Sequence, residues 1–175
     1  MEHINIRAVT WNVAAVDKPQ NFSCLDLLGP EQTLNQQTFD LYVTGFQEVS
    51  ARMDKYLIDT VIGSEDSWTE SVRRVLAPHG YIKVKTYRLL GIVLSLFCLK
   101  KHLSYLRNIQ TQYTRLSFGG YLGLKGAVSI RMELYGASYC FVCRYKMFKF
   151  QVFYYNLEWQ EEIRGCFKLV APKWV

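Results

Sequence analysis

Apolar positions alternate through INIRAVTWNVAAV, residues 4–16, in the period-2 rhythm of a strand whose C-terminal end carries Asn12. A helix is expected near residues 22–28, stopped by Gly29-Pro30. FDLYVTGF, residues 39–46, reads as a second strand that delivers Gln47 and Glu48 at its end. A helix over residues 51–62 is expected next, and another opens at Ser67, where Ser67 and Glu70 have capping-box spacing. In that second helix Trp68, Val72, Val75 and Leu76 recur at helical intervals before Pro78 and Gly80 close it. The text then changes to strands at residues 81–87, 91–99, 106–113, 125–134 and 138 onward, with a short turn at 101–105. Tyr135-Gly136 marks a hairpin between the last two strands. The order predicts an α/β domain with a mixed sheet covered by helices on one side. From Arg144 the alternation blurs, and KMFKFQVFYYNL has no clean period.

A chain of 175 residues, 50% hydrophobic and 21% charged, is long enough to bury a continuous core and excludes a disordered or fibrous class. Its net charge of +6 is unevenly spread. Residues 1–80 carry 6 Lys/Arg and 11 Asp/Glu, whereas residues 81–175 carry 15 and 4. Such a division suits a site in which carboxylates hold a cation and bases hold phosphates, and it equally suits a basic surface facing an anionic membrane or a nucleic acid. The start MEHINIRAV lacks the features of a cleavable leader, and LLGIVLSLFCL, residues 89–99, is too short to span a bilayer as a helix. Cys24, Cys98, Cys140 and Cys166 read as buried thiols of a reducing compartment, and Cys140–Cys143 has CxxC spacing without a second pair or a nearby His.

Three places carry candidate chemistry. Asn12 in TWNVA needs partners for its amide, either as a turn former or with its oxygen aimed at a cation or a phosphate. Glu48 follows core-like text, so its carboxylate either caps a following helix or meets a hard cation such as Mg²⁺, with Gln47 orienting it as a second amide. SFGGYLGLKGAVSIR, residues 117–131, sets Lys125 among Gly119, Gly120, Gly123 and Gly126, glycines that either serve only the bend of the backbone or, where the loop faces a site, let Lys125 contact phosphate. No GxxxxGK[ST] motif is present.

TWNVA, DLYVTGFQEV, GIVLSLFCLKKHLSYLRNIQT, GYLGLKGAVSIR and SYCFV occur in this order, and together they resemble the inositol polyphosphate 5-phosphatase family over about residues 6–142. The resemblance implies a DNase I-like (endonuclease/exonuclease/phosphatase) α/β sandwich, two sheets face to face with helices outside. It also implies Mg²⁺-dependent hydrolysis of the 5-phosphate of phosphoinositides and soluble inositol phosphates. On that resemblance Asn12 looks like an active-site Asn that joins Glu48 at the metal, Glu48 like the metal-binding Glu, and Lys125 like a Lys near substrate phosphates.

The departures are specific. In Gly123-Leu124-Lys125-Gly126-Ala127, Leu124 replaces an amide and Ala127 a glycine, and Tyr145 stands at the place of an active-site His. The family's GDxNYR and PAWCDRIL motifs and its late His do not occur in the sequence. The expected organisation is the N-terminal half of a catalytic domain over residues 1–143 and a divergent tail over 144–175. A sandwich truncated to its first half would lack most of its second sheet, leaving an apolar face for residues 145–175 to cover. The expected protein is cytoplasmic, or peripheral at the endoplasmic reticulum or plasma membrane, a phosphatase by family with little or no activity. Two alternatives stay open. One is a non-catalytic module binding anionic lipid, or a protein through an exposed sheet face; the other is a Mg²⁺-dependent nuclease of the same fold group.

Overall fold

The computed structural model describes residues 3–16, 18–19, 22–49, 66–89, 91–118, 121–144 and 150–155, with the side chains of 115–125 and 150–155 outside that description. Among the described residues eight strands form two four-stranded sheets. The first contains β1 (Ile6–Asn12), β2 (Leu41–Gln47), β3 (Tyr81–Leu89) and β4 (Ile92–Leu99) in the order β1-β2-β4-β3. The second contains β5 (Leu106–Phe118), β6 (Tyr121–Leu134), β7 (Ala137–Arg144) and β8 (Phe150–Tyr155) in sequence order. Only β1 and β2 are parallel among the described pairs, and the register from Ile6↔Leu41 to Asn12↔Gln47 brings both C-terminal ends to one edge.

Each face of the first sheet is buried, which is why β4 reads as an unbroken apolar run. One face meets short helices α1 (Leu25–Leu28) and α2 (Glu31–Asn35) and the longer α3 (Ser67–Leu76), where Tyr42, Phe46, Val93 and Phe97 pack with Leu28, Leu34, Val72 and Leu76. The other face meets the second sheet, where Leu41, Val43, Leu94 and Leu96 pack with Val128, Ile130, Met132 and Phe141. Ile130 pairs in register with Phe141, and Val128 with Cys143, so period-2 alternation turns one set of residues from both β6 and β7 inward.

Several expectations are corrected. The face expected to fall to residues 145–175, or else to stay exposed, is covered by Val128, Ile130, Met132, Leu134, Phe141 and Cys143 of β6 and β7, ahead of the tail, while β8 from the tail pairs antiparallel with β7. The strand expected over residues 125–134 is present and begins earlier, at Tyr121, so the glycine-rich stretch before it is shorter as a loop than expected: β5 and β6 pair from Leu106↔Leu134 out to Phe118↔Tyr121, and Lys125 pairs with Leu116. Cross-strand pairing here runs past Gly126, which pairs with Arg115, although a glycine weakens a strand interior. The cap of α3 is Asp66, not Ser67, its Oδ1 accepting from the backbone N–H of Trp68 and Thr69 at 3.1 and 2.9 Å. The helix expected over residues 51–62, and Cys166, lie outside the described residues. Cys140 is half-buried, unlike Cys24 and Cys98, because it alternates with inward-facing Phe141 and Cys143. That alternation sets Cys140 and Cys143 on opposite faces of β7, which excludes a shared metal or disulfide. The Tyr135-Gly136 hairpin stands as expected, with φ of 51° and 78° in the left-handed region that this tight turn requires.

The two sheets are also tied by a buried polar chain at the end opposite Asn12. Asp40 Oδ2 accepts from the Asn5 backbone N–H at 2.9 Å, and Oδ1 lies 2.7 Å from His102 Nε2 and 3.2 Å from Lys101 Nζ. An ionised carboxylate can only accept, so Nε2 carries the proton. His102 Nδ1 is 2.8 Å from the hydroxyl of Tyr135 in the β6–β7 turn. Burial alone would raise the Asp40 pKa, but the Asn5 N–H, His102 and Lys101 outweigh it and hold the carboxyl below its usual range.

Asp40→Asn sets an amide N–H₂ against these donors and should cost about 1–3 kcal/mol at neutral pH. A depressed folded-state pKa gives stability that is present above the unfolded value and lost as pH falls through the folded one. The gap in urea midpoint between wild type and variant should therefore narrow towards pH 3.

Candidate functional site

The parallel register places Asn12 beside Gln47, one residue before Glu48. Backbone hydrogen bonds then fix the ends of β1 and β2 together: Val13 N–H donates to the Gln47 carbonyl at 2.8 Å and Ala15 N–H to the Glu48 carbonyl at 2.7 Å. Val49 N–H donates to the Gly91 carbonyl at 3.0 Å. Glu48 itself has φ of +55°, a left-handed conformation uncommon outside glycine, and these neighbouring bonds hold it there. Gly91 lets the β3–β4 turn come this close. A Cβ at Gly91 would lie 3.3 Å from the Val49 carbonyl oxygen and 3.4 Å from Glu48 Cα.

Asn12 Nδ2 donates to Glu48 Oε1 at 2.8 Å, while Asn12 Oδ1 accepts from the Ala14 N–H at 2.8 Å. The Ala14 donor decides which way the amide faces. Asn12 therefore directs its N–H₂ at the carboxylate and its oxygen into the strand-end turn, the turn-former alternative that the sequence left open. Gln47 lies on the side facing the second sheet, its Nε2 within 2.8 Å of Thr10 Oγ1, 3.3 Å of the Gly45 carbonyl and 2.9 Å of Cys143 Sγ. Burial pushes the Cys143 thiol up to about 11, with the Gln47 N–H acting in the opposite sense, so this cysteine is a neutral acceptor rather than a nucleophile.

The structure thus brings together Asn12, Gln47 and Glu48 of the residues singled out from sequence. Lys125 lies within β6, three positions from Val128, whose register partner is Cys143. Thr10, Gly91 and Cys143 were missed as supporting residues. Thr10 shares strand parity with Asn12 and could have been found; Gly91 and Cys143 depend on tertiary placement that no local pattern encodes. Among the described residues there is no group of three or more His, Cys, Asp and Glu able to hold a metal ion. A single oriented carboxylate fits a hard cation that keeps most of its waters.

Two sheets packed face to face, helices on the outside, and an Asn–Glu pair at the ends of adjacent strands define a DNase I-like α/β sandwich of the endonuclease/exonuclease/phosphatase class. The chain belongs to Endonuclease/Exonuclease/phosphatase family 2, whose model matches residues 9–145. It is 36% identical over 137 residues to mouse (Mus musculus) phosphatidylinositol 4,5-bisphosphate 5-phosphatase A, which covers 78% of this chain and 13% of that protein. Among solved structures, the inositol polyphosphate 5-phosphatase domain of SPsynaptojanin, in complex with inositol (1,4)-bisphosphate and calcium ion, is similar with a TM-score of 0.57 and 23% identity. That likeness covers 81% of this chain and 39% of the other. A Cimex nitrophorin in its ferrous NO complex is similar with a TM-score of 0.59 and 20% identity, over 81% of this chain and 46% of that one. Both likenesses concern fold, and a fold shared by a phosphatase domain and a nitrophorin does not itself carry hydrolysis.

Replacing Asn12 by Ala removes the donor that orients Glu48. Metal affinity of the folded chain, read by Mn²⁺ paramagnetic resonance as a probe for Mg²⁺, should fall about tenfold or more. Unchanged affinity would show that Glu48 needs no such support.

Proposed function

We propose that this chain carries the metal-holding side of an inositol polyphosphate or phosphoinositide 5-phosphatase site and, as the 175 residues stand, hydrolyses little or no substrate. The observation that carries the reading is the Asn12–Glu48 hydrogen bond at the joined ends of β1 and β2. Glu48 is the residue that would hold Mg²⁺. Asn12, expected from the family resemblance to be a second ligand, contributes mainly by fixing the carboxylate, and Gln47 braces the strand end from behind. Bound there, Mg²⁺ would supply charge stabilisation on phosphate oxygens. Lys125 is proposed as a phosphate contact.

Hydrolysis of a phosphate monoester also needs a group that takes the proton from the attacking water and donors that stabilise the transferred phosphoryl group. The motifs that provide these in the family are missing from the sequence, and Leu124 and Tyr145 occupy two further functional places. Loss of one such donor alone lowers turnover by about 10²–10³. Residues 1–143 are accordingly proposed as the N-terminal half of a catalytic domain, with 144–175 as a divergent tail that contributes β8.

The chain spans 13% of the curated relative it matches and 39% of the solved phosphatase chain, so substrate and partners are assigned here by likeness. The 5-phosphatase name of the mouse relative favours inositol phosphate over nucleic acid as substrate. Within the family the motif series leans towards the skeletal-muscle and kidney-enriched inositol phosphatase. Among the described residues no helix is long and apolar enough to cross a membrane, and the proposed setting is the cytoplasm or an anionic membrane surface.

Phosphate release from a 5-phosphorylated phosphoinositide with Mg²⁺ tests the reading. The expected rate is at least about a hundredfold below that of a relative's complete domain. Brisk release that Glu48→Gln abolishes would overturn the claim of inactivity.

A further inference from the structure

A second cluster of chemically capable groups lies at the end of the sandwich opposite Glu48. Asp40 precedes β2 and Glu48 follows it, which separates the two by about 26 Å at 3.3 Å per residue. There β4 leads into β5 through a 3₁₀ turn, Lys100–Tyr105, in which side chains three positions apart eclipse. His102 and Tyr105 therefore project together, and both meet Tyr135 of the β6–β7 turn. The imidazole stands edge-on to the Tyr135 ring at 5.7 Å and 88°, and the Tyr105 ring lies 4.5 Å from it.

With its Nε2 proton directed at Asp40 over 2.7 Å, the neutral imidazole offers a lone pair at Nδ1, so the Tyr135 hydroxyl, 2.8 Å away, is the donor. A hydroxyl bonded to an imidazole that a carboxylate orients from behind is the arrangement by which a weak oxygen nucleophile is activated. His102 is only 4% exposed and Tyr135 is 37% exposed, so the base is sheltered from water while the tyrosine reaches the surface. We infer that Tyr135 is a covalent modification site, whose hydroxyl takes an acyl group from an activated ester. In that transfer the bond from Tyr135 Oη to the acyl carbon forms as the bond to the leaving group breaks, and the hydroxyl proton passes to His102 Nδ1. The Asp40 carboxylate stabilises the imidazolium until it returns the proton to the leaving group.

Brief treatment of the folded chain with p-nitrophenyl acetate, followed by peptide mass spectrometry, tests the site. Tyr105 is the internal comparison, being more exposed at 51% and having no base at its hydroxyl among the described residues. Exposure alone favours Tyr105, whereas a hydroxyl assisted by His102 should be O-acetylated at least about tenfold faster. Unfolding the wild type in concentrated urea should abolish this preference. His102→Gln, which keeps a polar side chain and removes the base, should bring Tyr135 down to the rate of Tyr105. Acetylation of Tyr135 no faster than that of Tyr105, a preference that persists in urea, or an undiminished preference in His102→Gln would overturn the inference. Should His102→Gln fail to fold, the two tyrosines of the folded and unfolded wild type decide the matter between them.

Discussion

Burial of the inner face of β6 and β7 against β2 and β4 is the constraint on which the other features depend. Val43, Leu94 and Leu96 on one sheet and Ile130, Met132 and Phe141 on the other can leave water only together, because each sheet offers one otherwise unsatisfied apolar face. Their packing fixes where β7 lies along β2. That position brings Cys143 to Gln47, and the chain of contacts continues through Thr10 to the joined ends of β1 and β2. The polar link from Asp40 through His102 to Tyr135 performs the corresponding task at the far end of the sandwich.

The site inherits its geometry from this framework. A carboxylate on a flexible loop would lose side-chain and backbone freedom on binding a cation. Glu48 has already given up much of that freedom, through its left-handed backbone, the bonds to Val13, Ala15 and Val49, and the amide of Asn12. Preorganisation of the Glu48 carboxylate, the proposed cation ligand, is separable from catalysis. An oriented carboxylate holds charge, but it does not accept a proton from water at the place where a phosphoryl group would be attacked, and the sequence offers no family motif for that role.

Much of the site was legible in the sequence because it depends on period-2 alternation: apolar strands ending in Asn12 and in Gln47-Glu48 announce polar groups at one sheet edge. The relative position of those two ends was not legible, since it follows from the parallel register Asn12↔Gln47. The direction of the Asn12 amide was hidden for a similar reason, as it depends on the Ala14 N–H in a turn whose left-handed residues are alanines rather than glycines. Asp40, His102 and Tyr135 are far apart in sequence, and nothing local to any of them signals the chain they form. The strand from Lys125 to Leu134 was legible, but the glycines before it hid that it starts at Tyr121 and pairs with a β5 that extends to Phe118. The second sheet was misjudged because nothing local to the strands between residues 106 and 144 shows that they pair into a layer covering β2 and β4.

Amide hydrogen exchange across β2, β4, β6 and β7 is the most direct test of a sandwich closed within this chain. Uniformly slow exchange in all four strands, lost together in denaturant, is the predicted result. Fast exchange in β6 and β7 beside a protected β2 and β4 would contradict it, because the layer that positions Cys143 and Gln47 would then not be formed.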